Sequence, residues 1–292
     1  MKAAIYSRVM EDGQEGHVQA FFNELDKYAI SPVVFLSFYE QIKNRVRFPE
    51  STSTFSFSEE LTEETEFIIS LGGDGTLLDT ITLVRDKPIA IMGINFGRLG
   101  FLAGIGKEEM QEAIQAVARR SYIEDKRTLI HLDADCKIFD EIPYGLNEFA
   151  IHKKDTASMI KIHTYLNGEF LNTYWADGLI VATPTGSTGY SLSCGGPIVF
   201  PESGSFVITP VAPHNLNVRP IIVPDDNVIS FEVESRYDDI ICALDSRRQT
   251  VGKNVSLAVR KESFRISLLR LGENNFLQTL RNKLTWGLDK RN

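Results

Sequence analysis

Gly72-Gly73-Asp74-Gly75-Thr76 follows a continuous apolar run at residues 67–71 and precedes a segment, 76–84, that reads as a helix. Glycines at a strand-to-helix turn allow positive φ and let bare backbone N–H groups approach a bound group. The start of a helix adds partial positive charge suited to phosphate. An aspartate in such a turn repels a bare phosphate unless it handles a proton or a magnesium ion, so Asp74 reads as a reacting group. The alternative is a plain turn in which Asp74 caps the helix. A second glycine-rich loop, Gly93-Ile94-Asn95-Phe96-Gly97-Arg98-Leu99-Gly100-Phe101-Leu102, leaves another apolar strand and does not fit GxGxxG. At the strand ends of the same sheet it would face the crevice where doubly wound sheets bind ligands. Arg98 is then either within reach of a phosphate or a solvated loop arginine.

The stretch from Asp177 to Pro197 packs hydroxyls, glycines and one aromatic, Tyr190, into a loop that no core needs. Such a turn suits a nucleotide held by hydrogen bonds and stacking. It is introduced by the buried-looking run 179–182, unlike an ordinary surface Ser/Thr loop. Asn147-Glu148 ends an irregular segment and can pair with ribose hydroxyls or an amide, a weak signal by itself. The chain has no GxxxxGK[ST] P-loop, HRD loop, GxSxG elbow or HExxH. Its five histidines lie far apart, and no metal ligand set is read from them.

The elements that must position these segments fall into two regimes. Up to about residue 120, short apolar runs alternate with helical periodicity, the βαβ pattern. Strands are predicted at residues 3–6, 32–38, 67–71 and 88–94, the last two as continuous runs suited to a parallel sheet covered on both faces. Val18, Phe21, Phe22, Leu25 and Tyr28 recur as one helix face, and Met110, Ala113, Ile114 and Val117 as another. From about residue 128, alternation of period two predicts half-buried antiparallel strands, with Asn167-Gly168 as a two-residue hairpin turn. Further strands are expected at 206–208, 229–233, 255–259 and 264–269. Phe276, Leu277, Leu280 and Leu284 mark a terminal helix that needs a domain to dock on.

The 292 residues give a prior of two domains. With 43% apolar and 24% charged residues, the composition is globular. A net charge of -8 disfavours broad nucleic-acid or anionic-membrane binding while leaving room for a local basic pocket. No run of apolar residues is long enough to span a membrane. Three widely spaced cysteines, and a start that runs directly into a strand without a leader-like segment, read as a cytoplasmic protein in a reducing compartment.

In their order and spacing, GGDGT after a strand, the Asn95-to-Leu102 loop, Asn147-Glu148, Asp177-Gly178, Thr183-to-Ser191 and Gly195-Gly196-Pro197 resemble NAD kinase. The resemblance covers most of the chain and is weakest over roughly the first 60 residues. It implies a Rossmann-like N-terminal α/β domain at residues 1–125, completed by about 273–292. It also implies a β-rich, sandwich-like NAD-binding domain at 126–272, with NAD held between the two and the C-terminal helix returning to the first. The implied reaction moves the ATP γ-phosphoryl group to the adenosine ribose 2′-hydroxyl of NAD, with magnesium arriving on ATP and no dedicated metal cage. By the same resemblance Asp74 accepts the 2′-hydroxyl proton, and Gly72, Gly73, Gly75, Thr76, Arg98 and Phe101 belong to the nucleotide-binding turns. Asn147 and Glu148 contact the NAD ribose and adenine side. Asp177 can serve a neighbouring subunit's site, with Trp175 in the same wall. Thr188, Gly189, Tyr190, Ser191, Leu192 and Ser193 form the NAD-contacting end of the hydroxyl loop, with Ala212 a later contact. Gly189 stands where alanine is common, and Asp245-Ser246-Arg247 where many members read Asp-Gly-Gln, which leaves Arg247 an unsettled contact. A homodimer or homotetramer is expected from the family alone. Two rivals share the fold: a diacylglycerol- or sphingosine-type lipid kinase, which has GGDGT but no need of the Tyr190 loop, and a non-catalytic NADP-binding regulator, which has no need of Asp74.

Overall fold

The computed structural model describes residues 1–97, 100–154, 158–272 and 275–286. The chain divides into two compact units, one made of Met1–Lys126 with Ile266–Asn292 and the other of Arg127–Arg265.

The first unit contains β1 (Lys2–Tyr6), α1 (Glu15–Lys27), β2 (Ser31–Phe35), α2 (Leu36–Ile42), β3 (Ser53–Phe55), β4 (Thr65–Leu71), α3 (Asp74–Val84), β5 (Ala90–Asn95), the short β6 (Ile105–Gly106) and α4 (Met110–Ala118). Its strands are parallel and lie in the order β3-β2-β1-β4-β5. The chain enters at the middle of the sheet, builds outward to one side and then to the other. That is the doubly wound plan, whose strand order reverses between β1 and β4. Ile68, Ile69 and Leu71 of β4 and Ile91, Met92 and Ile94 of β5 are buried, as expected for strands covered on both faces. Val18, Phe21, Phe22 and Leu25 of α1, with Ala113, Ile114 and Val117 of α4, close one side of this core.

The strand expected at 32–38 ends at Phe35, and α2 takes over at Leu36. Phe38 and Ile42, four apart, are buried on the inner face of that helix, so an apolar run that resembles a long strand is divided between two elements.

The second unit is a two-layer antiparallel structure. Its strands are β7 (Ile123–Ala134), β8 (Tyr144–Gly145), β9 (Glu148–Lys153), β10 (Ile160–Leu166), β11 (Glu169–Ala176), β12 (Gly178–Ala182), β13 (Ser205–Val211), β14 (Ile221–Pro224), β15 (Ile229–Glu234), β16 (Asp239–Leu244), β17 (Arg247–Gly252) and β18 (Leu257–Arg270). One layer runs β11-β10-β15-β18, and the other runs β14-β13-β12-β9-β16-β17. The strands expected separately at 255–259 and 264–269 merge into one continuous β18 from Leu257, because the polar stretch Arg260 to Ser263 interrupts the apolar pattern without breaking the extended backbone. The distal part of β18 belongs to the first unit, where Leu268 pairs in parallel with Ile91.

Phe149, Ile151, Leu179, Val181, Phe206 and Ile208 point from the second layer into a core shared with Ile160, Ile162, Ile229, Phe231 and Val259 of the first. The alternate residues Ala150, Ile180, Ala182 and Val207 face the other way and meet Val199 and Cys194. β12 is therefore apolar on both sides, its outer face covered by the chain that follows it. Asn167 and Gly168 turn β10 into β11 with φ of +51° and +84°, the positive-φ pair of a type I′ hairpin. In the first unit, α6 (Phe276–Leu284) buries Leu280 and is capped by the Asn275 side chain, which accepts from the Gln278 N–H. Among the described residues no helix is long and apolar enough to cross a membrane.

Candidate active site

The turn after β4 carries Asp74. Gly72 has φ of +151°, and a Cβ there would lie 2.5 Å from Thr76 Oγ1, so only glycine fits. Gly73 occupies the cap position of α3, and Asp74 is the first helical residue. The capping role for Asp74 is thus corrected, because its carboxylate turns away from its own helix. Oδ2 accepts from Phe101 N–H at 2.8 Å, and Oδ1 from Leu102 N–H at 3.0 Å and Ala103 N–H at 2.9 Å. A carboxylate offers about four lone pairs. Oδ1 is doubly used, and Oδ2 keeps one position open. Gly100 approaches so closely that a Cβ on it would lie 1.7 Å from Asp74 Oδ1. Gly75 follows in the first turn of α3, where Thr76 N–H donates to the Gly73 carbonyl at 3.0 Å. The Lys283 ammonium of α6 lies 5.9 Å from the Phe101 ring centroid. Arg98 falls outside the described residues.

In the second unit the same device recurs around Asp245. Its Oδ2 accepts from Leu146 N–H at 2.7 Å, and its Oδ1 from Asn147 N–H at 2.8 Å and Glu148 N–H at 3.1 Å. Asp245 itself sits at φ +53°, and its N–H donates to the Glu148 carbonyl at 3.0 Å. Burial pushes the Asp245 carboxyl above its ordinary range, against the pull of the three N–H donors. The Asn147-Glu148 turn is thus pinned from beneath by a residue almost a hundred positions away.

That turn is polar and under-satisfied. Asn147 Oδ1 and Glu148 Oε2 are sealed from solvent without a hydrogen-bond partner. Burial first, and the nearby Asp245 second, push the Glu148 carboxyl up to about 8. Orphaned buried polar atoms are costly, and a bound polar ligand is one way to satisfy them. The hydroxyl loop closes over the same place. A Cβ on Gly186 would lie 2.0 Å from the Asn147 carbonyl oxygen, and one on Gly189 would lie 3.1 Å from Glu148 Oε2. Thr188 Oγ1 donates to the Thr185 carbonyl, while Tyr190, Ser191, Leu192 and Ser193 form the single turn α5. Ser191 is fully buried against Thr209, with their hydroxyls 2.8 Å apart. Tyr190 stays 41% exposed, its ring 5.7 Å from His152.

Trp175, Asp177 and Ala212 group at the junction of β11, β12 and β13. Trp175 is 44% exposed beneath the Lys161 ammonium. Asp177 pairs with Lys153 at 2.6 Å and donates its N–H to the Val211 carbonyl. Ala212 is exposed at φ +45°. Arg247 is used internally: its guanidinium donates to the Ile142 and Tyr144 carbonyls and lies 5.5 Å from the Phe139 ring centroid. Asp245 and Gly100, which hold the two turns in shape, escape a reading by local motif because each acts on backbone far away in sequence.

Comparison with known proteins shows the family and the fold. The model for the ATP-NAD kinase N-terminal domain matches residues 26–122, and that for the ATP-NAD kinase C-terminal domain matches residues 146–271. The NAD kinase of Cytophaga hutchinsonii is 47% identical over 290 residues, covering 99% of each chain. That of Flavobacterium psychrophilum is 44% identical over 294 residues, covering 100% of each. Among solved structures, yeast NADH kinase complexed with NADH superimposes with a TM-score of 0.90 at 22% identity, over 100% of this chain and 89% of the other. An NAD kinase from Archaeoglobus fulgidus in complex with ATP gives 0.76 at 26% identity, over 98% and 99%. Fold and site define a phosphotransferase of the two-domain GGDGT type. The chain belongs to the NAD kinase family, and the lipid-kinase alternative finds no support among these relatives.

Proposed function

We propose that Asp74 is the general base of a transfer of the ATP γ-phosphoryl group to the adenosine ribose 2′-hydroxyl of NAD. The observation that carries this is the open position on Asp74 Oδ2, on a carboxylate whose other contacts are three backbone N–H groups. The 2′-oxygen forms the new bond to the γ-phosphorus as the bond from that phosphorus to the β,γ-bridging oxygen breaks. ADP leaves, the hydroxyl proton passes to Oδ2, and NADP is the product. Phosphoryl transfer rests mainly on positioning and charge stabilisation, which a glycine turn at a helix start can supply.

Asn147 and Glu148 take ribose hydroxyls or the adenine edge, and their unpartnered buried oxygens support that role. Glu148, with its carboxyl near 8, is mostly protonated at neutral pH and able to donate as well as accept. Exposed Tyr190 offers a stacking face, and Thr188, Gly189 and the rest of the loop to Ser193 shape the wall around it. A magnesium ion bound with ATP would neutralise phosphate charge. Asp74 is the carboxylate that the glycine turn offers near it, which fits an ion that keeps mostly phosphate and water ligands. The same reading includes a cytoplasmic location, in keeping with three free thiols, a homodimer or homotetramer in which Asp177, with Trp175 in the same wall, serves a neighbouring copy, and Ala212 as a later substrate contact.

The test is a product assay with magnesium, ATP and NAD, read through an NADP-specific dehydrogenase, with diacylglycerol as a parallel acceptor. NADP formation that disappears in Asp74→Asn supports both the reaction and its base. Nucleotide binding without turnover would instead mark a regulator.

A further inference from the structure

The strand order of the first unit reverses between β1 and β4, and doubly wound sheets bind ligands outside the carboxyl ends of the strands at that point. The turn after β4 is the glycine turn. The turn after β1 begins Ser7-Arg8-Val9, and both turns line one cleft of about 390 Å³, together with Glu11, Thr76 and Asn95. Arg8 reaches over to α3. Its Nε and Nη2 donate to the two carboxylate oxygens of Asp79, the Nη2 bond measuring 2.7 Å. Asp79 is held in turn by the Tyr6 hydroxyl, which donates to its Oδ2 at 2.9 Å.

This fork uses one edge of the guanidinium and leaves Nη1 over. Nη1 is the atom nearest to a Cβ built on Gly75, at 3.4 Å. An exposed ion pair contributes little to stability, and the Arg8 side chain is 48% exposed. What the arrangement does accomplish is orientation. A planar cation fixed by two bonds presents its remaining N–H groups in one direction, with its rotamer freedom already lost before a ligand arrives.

We propose that Arg8, positioned by Asp79, receives the terminal phosphates of the donor's oligophosphate chain above Gly75. It thereby fixes the donor and leaves NAD binding to other residues. The proposal rests on the phosphotransferase reading above. The chemistry recognised is a linear oligophosphate, whether carried by a nucleotide or inorganic.

The experiment compares the full chain with Arg8→Met, Arg8→Lys, Asp79→Asn and the Arg8→Met/Asp79→Asn double variant. ATP and inorganic tripolyphosphate serve as calorimetric probes, with steady-state NADP formation alongside and circular dichroism to verify folding. Arg8→Met is expected to weaken ATP binding about tenfold or more and raise KM for ATP in parallel, with KM for NAD within about twofold. Arg8→Lys, which keeps charge without the fork, restores only part of the loss. Asp79→Asn gives a smaller loss that disappears in the Arg8→Met background, the non-additivity expected when one residue acts through another. An Arg8-dependent loss for tripolyphosphate as well points to the phosphate chain itself, and a loss for ATP alone to a nucleotide donor. A folded Arg8→Met protein with unchanged ATP affinity, or a wild type that binds neither probe, overturns the proposal. Arg8-dependent binding without NADP formation overturns the kinase reading and leaves the Arg8 assignment standing.

Discussion

Gly100 and Asp74 are fitted to each other: a Cβ built on Gly100 would lie 1.7 Å from Asp74 Oδ1, with Asp74 Cγ at 2.5 Å. The Asp74 carboxylate is held by a loop that can approach only because Gly100 lacks a side chain. Gly100→Ala must push the carboxylate or the loop aside, and displacements near 1 Å can cost about a hundredfold in rate. Steady-state kinetics should show a kcat loss of about that size with the melting temperature little changed. Full activity in the alanine variant would mean that the loop yields.

Asp74→Asn removes the proton acceptor and turns an amide N–H toward at least one backbone donor. General-base catalysis contributes roughly 10²- to 10⁴-fold, so kcat should fall within that range while KM for NAD stays nearly constant. The lost backbone bond should also lower stability by about 1–3 kcal/mol in urea unfolding. Turnover equal to wild type would remove Asp74 from the mechanism.

Asp245→Ala leaves three N–H groups of the Asn147-Glu148 turn without their acceptor. A buried donor left unsatisfied costs about 1–3 kcal/mol. A raised KM for NAD is expected together with a lower urea midpoint. An unchanged midpoint would mean that another acceptor or water replaces the carboxylate.

Glu148 links stability to pH. Its carboxyl lies near 8 in the folded protein against an ordinary value of 4.5, so the folded state holds this proton more tightly than the unfolded chain does. Between those values the unfolded state binds fewer protons and stability falls as pH rises, by up to about 1.4 kcal/mol per pH unit. The contribution is complete below about pH 4.5 and is lost through pH 8. Glu148→Gln should flatten that slope in melting temperatures measured from pH 5 to 8.5. A slope equal to wild type would assign the titration to another group.

Much of the plan is legible in the chain itself. Apolar runs at 67–71 and 88–94 reveal strands covered on both faces, and Asn167-Gly168 marks its hairpin because few other pairs accept two positive φ angles. Asp74 stands out because a charge in a glycine turn is chemically odd. The misses have physical causes. Phe38 fits a strand and a helix face equally well, so only tertiary packing decides between them. The Arg8–Asp79 pair spans 71 residues, the bonds from the loop after Gly100 to Asp74 span 27 to 29, and those from the Asn147-Glu148 turn to Asp245 span 97 to 99, which no local period or motif records.

The chain leaves its first unit after residue 126 and re-enters it at 266, and the flank of β5 at Ile91, beyond the part that β6 covers at Ile94 and Asn95, receives a neighbour only when Leu268 pairs there. During synthesis at about 5–20 residues per second, that flank of β5 waits roughly ten to thirty-five seconds for its partner. The second unit ends at Arg265, three residues before Leu268, so neither unit is complete until this part of the chain has been made. An unpaired flank on an apolar parallel sheet is an aggregation template. Truncations that remove Leu268 should therefore fail through misassembly of the nascent chain, even where the segment removed touches no substrate.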